Sequence, residues 1–486
     1  MTDFLEDWQE STESAGEWKE RLAGWRYHWH KLNVGSPLPP LLVGLALGIL
    51  CVISPFLAII ACLACLFFFA AFSKPVLLCY LVVAAIMLTS GIERGRFFPL
   101  LSVNEVSLLA AFFFALIIIL MDQHRKLEIT PYFWVAFIAL IGGTVIAPIG
   151  TFLLLGTKLT ISNAFKMVAP VQYFILFLLF AFIPQNEVQR KRIVWLMLLL
   201  GALVAVVGLA QGAGIGVVNR LLGYLFSSSH EAMAARAGRI TSLLGSWNTL
   251  GIYMMTIIFM CWAMLFETER PRGRLVIMGI MGISVLCLIA SGSFAGVIGS
   301  VIGLIFMQII SQRRIKSIPV LISIFIGLVL VVLICYPLLQ PLIEKRLAYQ
   351  FRNGGILPQT LTYRFEIWRQ IFIPAIKLHF PWPVYPSVPV NYAWKFEESQ
   401  YILLLFRTGL IGLLGYLMWI GLTIWWLYRK YRFGSGLNKA LASTAVTLVV
   451  VLVVAGVTNE VFSFAGTIDY LWIMLALISV KPGKAS

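Results

Sequence analysis

Apolar residues fall along this chain in unbroken blocks of roughly twenty, separated by short polar or charged stretches, with no strand-like alternation. A helix needs about 20 mostly apolar residues to cross the hydrocarbon core, where every backbone N–H and C=O must be satisfied within the segment. The blocks predict spans at 38–54, 56–72, 75–91, 105–121, 131–155, 166–183, 193–213, 246–266, 275–291, 294–310, 318–336, 400–427, 440–457 and 467–480. The expected fold is therefore all-α, a polytopic membrane helix bundle of about 14 spans.

Polar stretches divide the chain further. Residues 1–37 form a cytoplasmic segment in which Trp18, Leu22, Trp25 and Trp29 recur at helical spacing among Lys19, Arg21, Arg26, His28, His30 and Lys31. That pattern predicts a basic amphipathic helix on the headgroups, or a partner-binding helix. No short basic start followed by an apolar region marks a signal peptide. The membrane domain is 38–480, and 481–486 form a cytoplasmic tail. Within it, Leu338–Glu398 is too long and too polar for a bilayer to absorb. It carries seven Lys and Arg against four Glu, with Trp368, Trp382 and Trp394 and a run of prolines. Linkers are usually polar and poor in aromatics, so this long outer (periplasmic) loop, 338–398, predicts a helical cap over a basic cavity. A structural loop with scattered charges is the plain alternative.

Composition agrees: 60% of residues are hydrophobic, 12% are charged, and mean hydropathy is +0.91, which excludes a soluble globular class. The net charge of +16 would suggest nucleic acid in a soluble chain. Here the basic residues cluster between spans, the pattern that orients membrane proteins and attracts anionic membrane lipids, so no nucleic-acid partner is expected. With a cytoplasmic amino terminus, the clusters at 124–126, 189–192, 270–274, 313–316 and 428–432 all fall inside. Two basic stretches then face out, 214–245 and 338–398, and an anionic ligand is the natural reason for them. The seven cysteines lie in apolar runs and read as small core residues.

Candidate chemistry gathers in four places. Arg236 and Arg239 precede a span that opens near Ser246 and Asn248; guanidinium groups there suit phosphate oxygens, or simply lipid headgroups. Arg364 and Trp368 share a helical face at i, i+4, although a surface pair between Arg364 and Glu366 would explain the arginine as well. Glu397-Glu398-Ser399-Gln400-Tyr401 opens the next span, where Glu398 can accept a proton or hold an arginine. Arg407, inside that span, requires a partner or a wet cavity. Weaker candidates are Lys166 as a lipid-phosphate contact, Asn459-Glu460, Asp469 and His230-Glu231. No P-loop, HExxH, GxSxG or DxD pattern occurs, so no cofactor and no metal is expected.

These residues resemble the superfamily of O-antigen ligases and Wzy-type polysaccharide (exopolysaccharide) polymerases over roughly 160–430. Arg239 to Asn248 looks like its arginine-bearing outer segment, with Ser246-Trp247 where Asn-Pro is usual. Ser291-Gly-Ser-Phe-Ala-Gly296 sits at its outer turn without the arginine. Arg364 to Trp368 matches R-x-x-x-W, and His379-Phe-Pro381 loosely echoes a His-Pro segment. Glu398-Ser399-Gln400-Tyr401 with Gly409-Leu-Ile-Gly412 resembles the polymerase ending, where ligases carry histidine.

The resemblance implies a glycosyltransferase C-like enzyme of the bacterial inner membrane that polymerises polyprenyl-pyrophosphate-linked oligosaccharide on its outer face, beside other polysaccharide assembly proteins. Arg239 and Arg364 would hold the pyrophosphate, with Glu398 orienting or deprotonating the attacking hydroxyl. Arg236, Arg407, Asn248, Lys166, Trp368 and Tyr401 would line the substrate site. Ligase activity is the alternative within the family. A secondary transporter or flippase, or a non-catalytic assembly subunit, is the alternative from other classes.

Overall fold

The computed structural model of this chain describes residues 70–71, 74–92, 101–121, 131–184 except 157–158, 186–225, 239–311, scattered positions in 333–351, 358–386, 397–464 and 466–480. The chain divides into two units, Met1–Leu78 and Cys79–Ser486, and the account below concerns the second. The predicted amphipathic helix of the amino-terminal segment, the spans 38–54, 56–72 and 318–336 (apart from 70–71, 333 and 336), the tail 481–486 and Arg236 lie outside the described residues.

Among the described residues every regular element is a helix. In order they are α1 (Val76–Thr89), α2 (Val103–Met121) and α3, which is α-helical over Pro131–Phe137, π-helical over Ile138–Ile146 and α-helical again over Ala147–Leu154. Next come α4 (Ile161–Val168), α5 (Val171–Phe182), α6 (Glu187–Gly212), α7 (Gly216–Leu225), α8 (Trp247–Glu267), α9 (Pro271–Ser291) and α10 (Phe294–Ser311). The long loop supplies α11, α-helical over Gln359–Ile367, π-helical over Trp368–Phe372 and α-helical over Ile373–His379. The chain ends with α12 (Gln400–Phe433), α13 (Gly436–Ala455) and α14 (Thr467–Ser479).

Among the described residues, α3, α6, α8, α9, α12 and α13 are long and apolar enough to cross a membrane, and α1, α2, α5, α10 and α14 are shorter apolar helices. Eleven of the predicted blocks therefore coincide with described apolar helices, six of full spanning length. The difference is one of length. Predicted blocks run on into turns, such as the one beginning at Ala169 before α5, where the chain leaves the helix.

Burial arranges these helices in layers. Every residue of α14 is buried, as are most of α8 and α13, so these three form the centre. Helices α9, α10 and α12 pack around them, with α6 on α9, α5 on α14 and α3 on α12. On α10 the exposed side is an apolar stripe of Phe294, Val297, Ile298, Val301, Ile302, Ile305 and Ile309, the surface a lipid environment would cover.

Polar contacts fix which helix ends lie together. At one end Arg190, at the start of α6, donates to Asn438 Oδ1 (2.9 Å) at the start of α13 and to the Leu477 carbonyl (3.2 Å) at the end of α14. At the opposite end the Gln211 side-chain oxygen, near the end of α6, accepts from the Thr241 and Ser242 amides (2.9 Å each) just before α8. Helix α6 thus runs antiparallel to α14 and α8 and in the same direction as α13.

The contact of α3 with α12 rests on glycines. A Cβ on Gly143 would lie 3.1 Å from the Ile411 carbonyl oxygen, and one on Gly415 would overlap the Ala139 carbonyl. The approach is a small-residue crossing of the kind that lets helices associate in lipid by backbone contact. Gly415→Val should therefore lower the thermal midpoint of the detergent-purified protein, at a cost of about 1–3 kcal/mol of overpacking. Gly421→Val, on the open face of the same helix, should leave the midpoint near wild type.

Candidate functional site

The start of α12 collects the charges. Helix α12 is two helices in one: Gly409 has φ 66° and ψ −166°, a conformation that glycine adopts at little cost. Breaking the helix frees backbone groups that would be costly to leave unsatisfied in an apolar setting. The proline-rich segment after α11 takes them up. Val384 N–H donates to the Phe406 carbonyl (2.8 Å), and Leu410 N–H donates to the Pro381 carbonyl (2.9 Å). A Cβ at Gly409 would lie 2.7 Å from that same Pro381 oxygen. Ile367, Trp368 and Phe372 of α11 pack on Phe406 of α12, with the Phe372 and Phe406 rings edge-on at 5.3 Å. The long loop is thus seated on α12 by backbone and side chain together.

Two ion pairs cross at this seat. Arg407 grips Glu397 with both arms of its fork, Nε to Oε1 at 2.6 Å and Nη2 to Oε2 at 3.0 Å. Glu397 is fully buried, while the Arg407 side chain keeps 28% of its exposure. Arg364 donates Nε (3.0 Å) and Nη2 (2.8 Å) to a single oxygen of Glu398, Oε2. That pair is the more accessible, at 15% and 25%. Among the described residues Glu398 Oε1 accepts no hydrogen bond.

The i, i+4 spacing of Arg364 and Trp368 now has a geometric reason. Trp368 Nε1 donates to the Glu397 carbonyl at 2.8 Å, so one helical turn of α11 holds two consecutive residues before α12. The Glu366 alternative for Arg364 does not occur; Glu366 accepts from Gln370 instead.

A third segment, the connection from α13 to α14, completes the cluster. Gln400 N–H donates to the Gly456 (2.8 Å) and Asn459 (3.1 Å) carbonyls, and Phe462 N–H donates to Gln400 Oε1 (3.2 Å). Asn459 Oδ1 lies 3.4 Å from Arg364 Nη2, and Glu460 Oε1 accepts the Glu398 N–H at 2.9 Å. Burial, with the Glu397 carboxylate next in effect, pushes the Glu460 carboxyl up to about 8, against the opposing pull of Arg407. On sequence alone Asn459-Glu460 is a weak candidate. The signal was two polar residues in the brief gap between apolar blocks, and only the fold shows what they face.

The remaining candidates sit elsewhere. Arg239 is nearly buried with its guanidinium 4.7 Å from the centre of the Trp247 ring, a cation–π contact at the start of α8. Asn248 follows in the first turn, half-buried and without a side-chain hydrogen bond among the described residues. This second group lies at the same end of the bundle: a Cβ on Gly466, at the far end of the α13–α14 connection, would lie 3.7 Å from the Leu244 side chain. Tyr401 donates its hydroxyl to the Val453 carbonyl (2.7 Å), tying α12 to α13. Lys166 belongs to α4, and its side chain lies outside the description. The Ser291–Gly296 turn is occupied with itself, since Ser293 Oγ accepts the Gly296 N–H at 3.3 Å and the backbone of Gly251 in α8 packs directly on Gly296.

No protein-family model and no curated protein sequence matches this chain. The cluster offers a fixed carboxylate with one open oxygen, two guanidinium groups, and Arg239 at the same end of the bundle.

Removing one partner from a buried ion pair leaves an uncompensated charge, typically about 3–5 kcal/mol. Arg407→Ala should therefore lower the thermal midpoint markedly, toward the lower end of that range because Arg407 is partly exposed. The double variant Glu397→Leu/Arg407→Leu should recover most of the loss. Thermal unfolding of the purified variants checks both.

Proposed function

We propose that this chain is an integral-membrane glycosyltransferase that polymerises polyprenyl-pyrophosphate-linked oligosaccharides at the membrane face carrying the α12 cluster. The observation that carries this reading is the crossed pair of ion bonds, which leaves Glu398 as the only one of the two carboxylates with both surface exposure and an open oxygen. A sugar already joined to pyrophosphate is activated, so the reaction needs a poised acceptor hydroxyl and charge to receive the leaving group. The acceptor hydroxyl attacks the anomeric carbon, the bond to pyrophosphate oxygen breaks, and the hydroxyl proton passes to Glu398. Arg364 holds the far oxygen of Glu398 and so fixes where the near one points. Arg239, at the same end of the bundle, suits the departing pyrophosphate. The glycosyltransferase C-like arrangement, the outward orientation of this face and its place in a bacterial inner membrane belong to the same proposal.

The break in α12 also raises the reading of a secondary transporter, whose sites are often built from broken helices. In that design freed carbonyls coordinate the transported ion. Here Phe406 O already accepts from Val384, and Pro381 O already accepts from Leu410. The break is filled by protein, which favours an enzyme.

A strain lacking the gene should accumulate single lipid-linked repeats. In the complemented strain, Glu398→Gln should cut polymer by about 10²-fold or more at normal protein level. Arg364→Lys should rescue poorly, because an ammonium cannot reproduce the two-armed contact. Wild-type polymer from Glu398→Gln would remove Glu398 from the mechanism, and accumulation of finished polymer on its carrier would point to a ligase. Reporters fused at 186–190 and 430–436 should report inside, and those within 214–245 and 340–395 outside.

A further inference from the structure

Glu398 has a backbone conformation that its side chain does not favour. Its φ is 55°, in the left-handed region that residues other than glycine occupy uncommonly. Such a conformation persists only where the surroundings over-determine it, and it is found disproportionately at functional sites. Around Glu398 three constraints are visible. Arg364 holds the carboxylate, Trp368 holds the preceding carbonyl, and Glu460 Oε1 takes the Glu398 N–H at 2.9 Å. The first two come from the long loop and the third from the α13–α14 connection, so Glu398 is held from both sides.

We propose that Glu460 is the positioning residue of this site: its carboxyl oxygen fixes the Glu398 backbone in the left-handed turn that delivers the Glu398 carboxylate to Arg364. Asn459 does the matching work on the other partner, with its Oδ1 3.4 Å from Arg364 Nη2, so two consecutive residues hold both halves of one ion pair. The inference rests on reading Glu398 as the group that acts in transfer.

Glu460 does this work beside other charges. Glu397 and Glu398 precede α12, Arg407 lies within it, and Arg364 on α11 is one contact further away. A third negative charge among them is disfavoured, which agrees with a Glu460 carboxyl that loses its proton only at about 8. The sign follows: the folded state prefers the protonated acid. Ionising Glu460 works against the fold of this cluster progressively as pH climbs from the ordinary carboxyl range through about 8. Above that pH the repulsion acts directly on the carboxylate that Arg364 holds.

Two measurements on the full-length protein test this. The first is polymer formation by reconstituted protein as a function of pH. Wild type should decline on the alkaline side as Glu460 ionises. Glu460→Gln keeps an oxygen that accepts the Glu398 N–H but cannot ionise, so it should stay active and lose that decline. Glu460→Ala, which removes the acceptor, should fall at least tenfold at every pH at equal folded protein level. Wild-type activity in Glu460→Ala, or an unchanged alkaline decline in Glu460→Gln, would overturn the proposal. The second is the infrared band of the protonated carboxyl group, which needs no activity. Wild type should lose such a band as pH rises through about 8, and Glu460→Gln should lack it. A band that persists in Glu460→Gln would overturn the assignment of the titrating group. If Glu398→Gln polymerises normally while the band behaves as expected, the transfer reading fails and the protonated Glu460 stands.

Discussion

A carboxylate with no exposed surface has to be met by a fixed cation, and Glu397 imposes that requirement on the head of α12. Arg407 meets it from within α12, ten residues further along the chain, with both arms of its fork. With Glu397 pinned, its carbonyl is available to Trp368 and the next residue is turned toward Arg364. Ser399 and Gln400 then bond to the connection after α13. Four consecutive residues thus tie the long loop, α12 and the α13–α14 connection into one unit.

Buried ion pairs seldom add much net stability, because removing two charges from water offsets most of their attraction. What they do here is set position. The two pairs divide the labour by exposure: Glu397 is sealed and structural, whereas Glu398 is partly open and presents one free oxygen among the described residues. The break at Gly409 serves the same end. It lets the segment Phe380–Pro386 dock into α12 by main-chain hydrogen bonds, which seats α11 and so carries Arg364 and Trp368 to the carboxylates.

Much of the fold was legible because block length alone separates spans from connections, as with α6, α8, α9 and α13. The long loop was readable as a folded cap because its tryptophans and prolines make a poor solvated linker, and its residues Gln359–His379 do form α11, packed on α12. The i, i+4 relation of Arg364 and Trp368 was visible, but their partners were not. Arg364 meets Glu398 across 34 residues, a separation that spacing cannot reveal, while Glu366 lay close by as the plain alternative. Arg407 was read as needing a partner or a wet cavity, and spacing alone did not name Glu397. Glu460 stayed a weak candidate for a related reason. One acid in a short gap carries no pattern, and its role depends on a backbone N–H sixty-two residues away. The Gly409-Leu-Ile-Gly412 run gave no hint of a break, because a glycine's φ is chosen by what packs against it.

The reaction proposed for the α12 cluster is formation of a glycosidic bond. Its most direct test is reconstitution of the purified protein in liposomes with a polyprenyl-pyrophosphate-linked oligosaccharide, with chain length of the lipid-linked glycan as the readout. Wild type should give products longer than one repeat, and Arg364→Ala only single repeats. Translocation of unaltered single repeats across the bilayer, with no new bond formed by wild type, would contradict the proposed reaction.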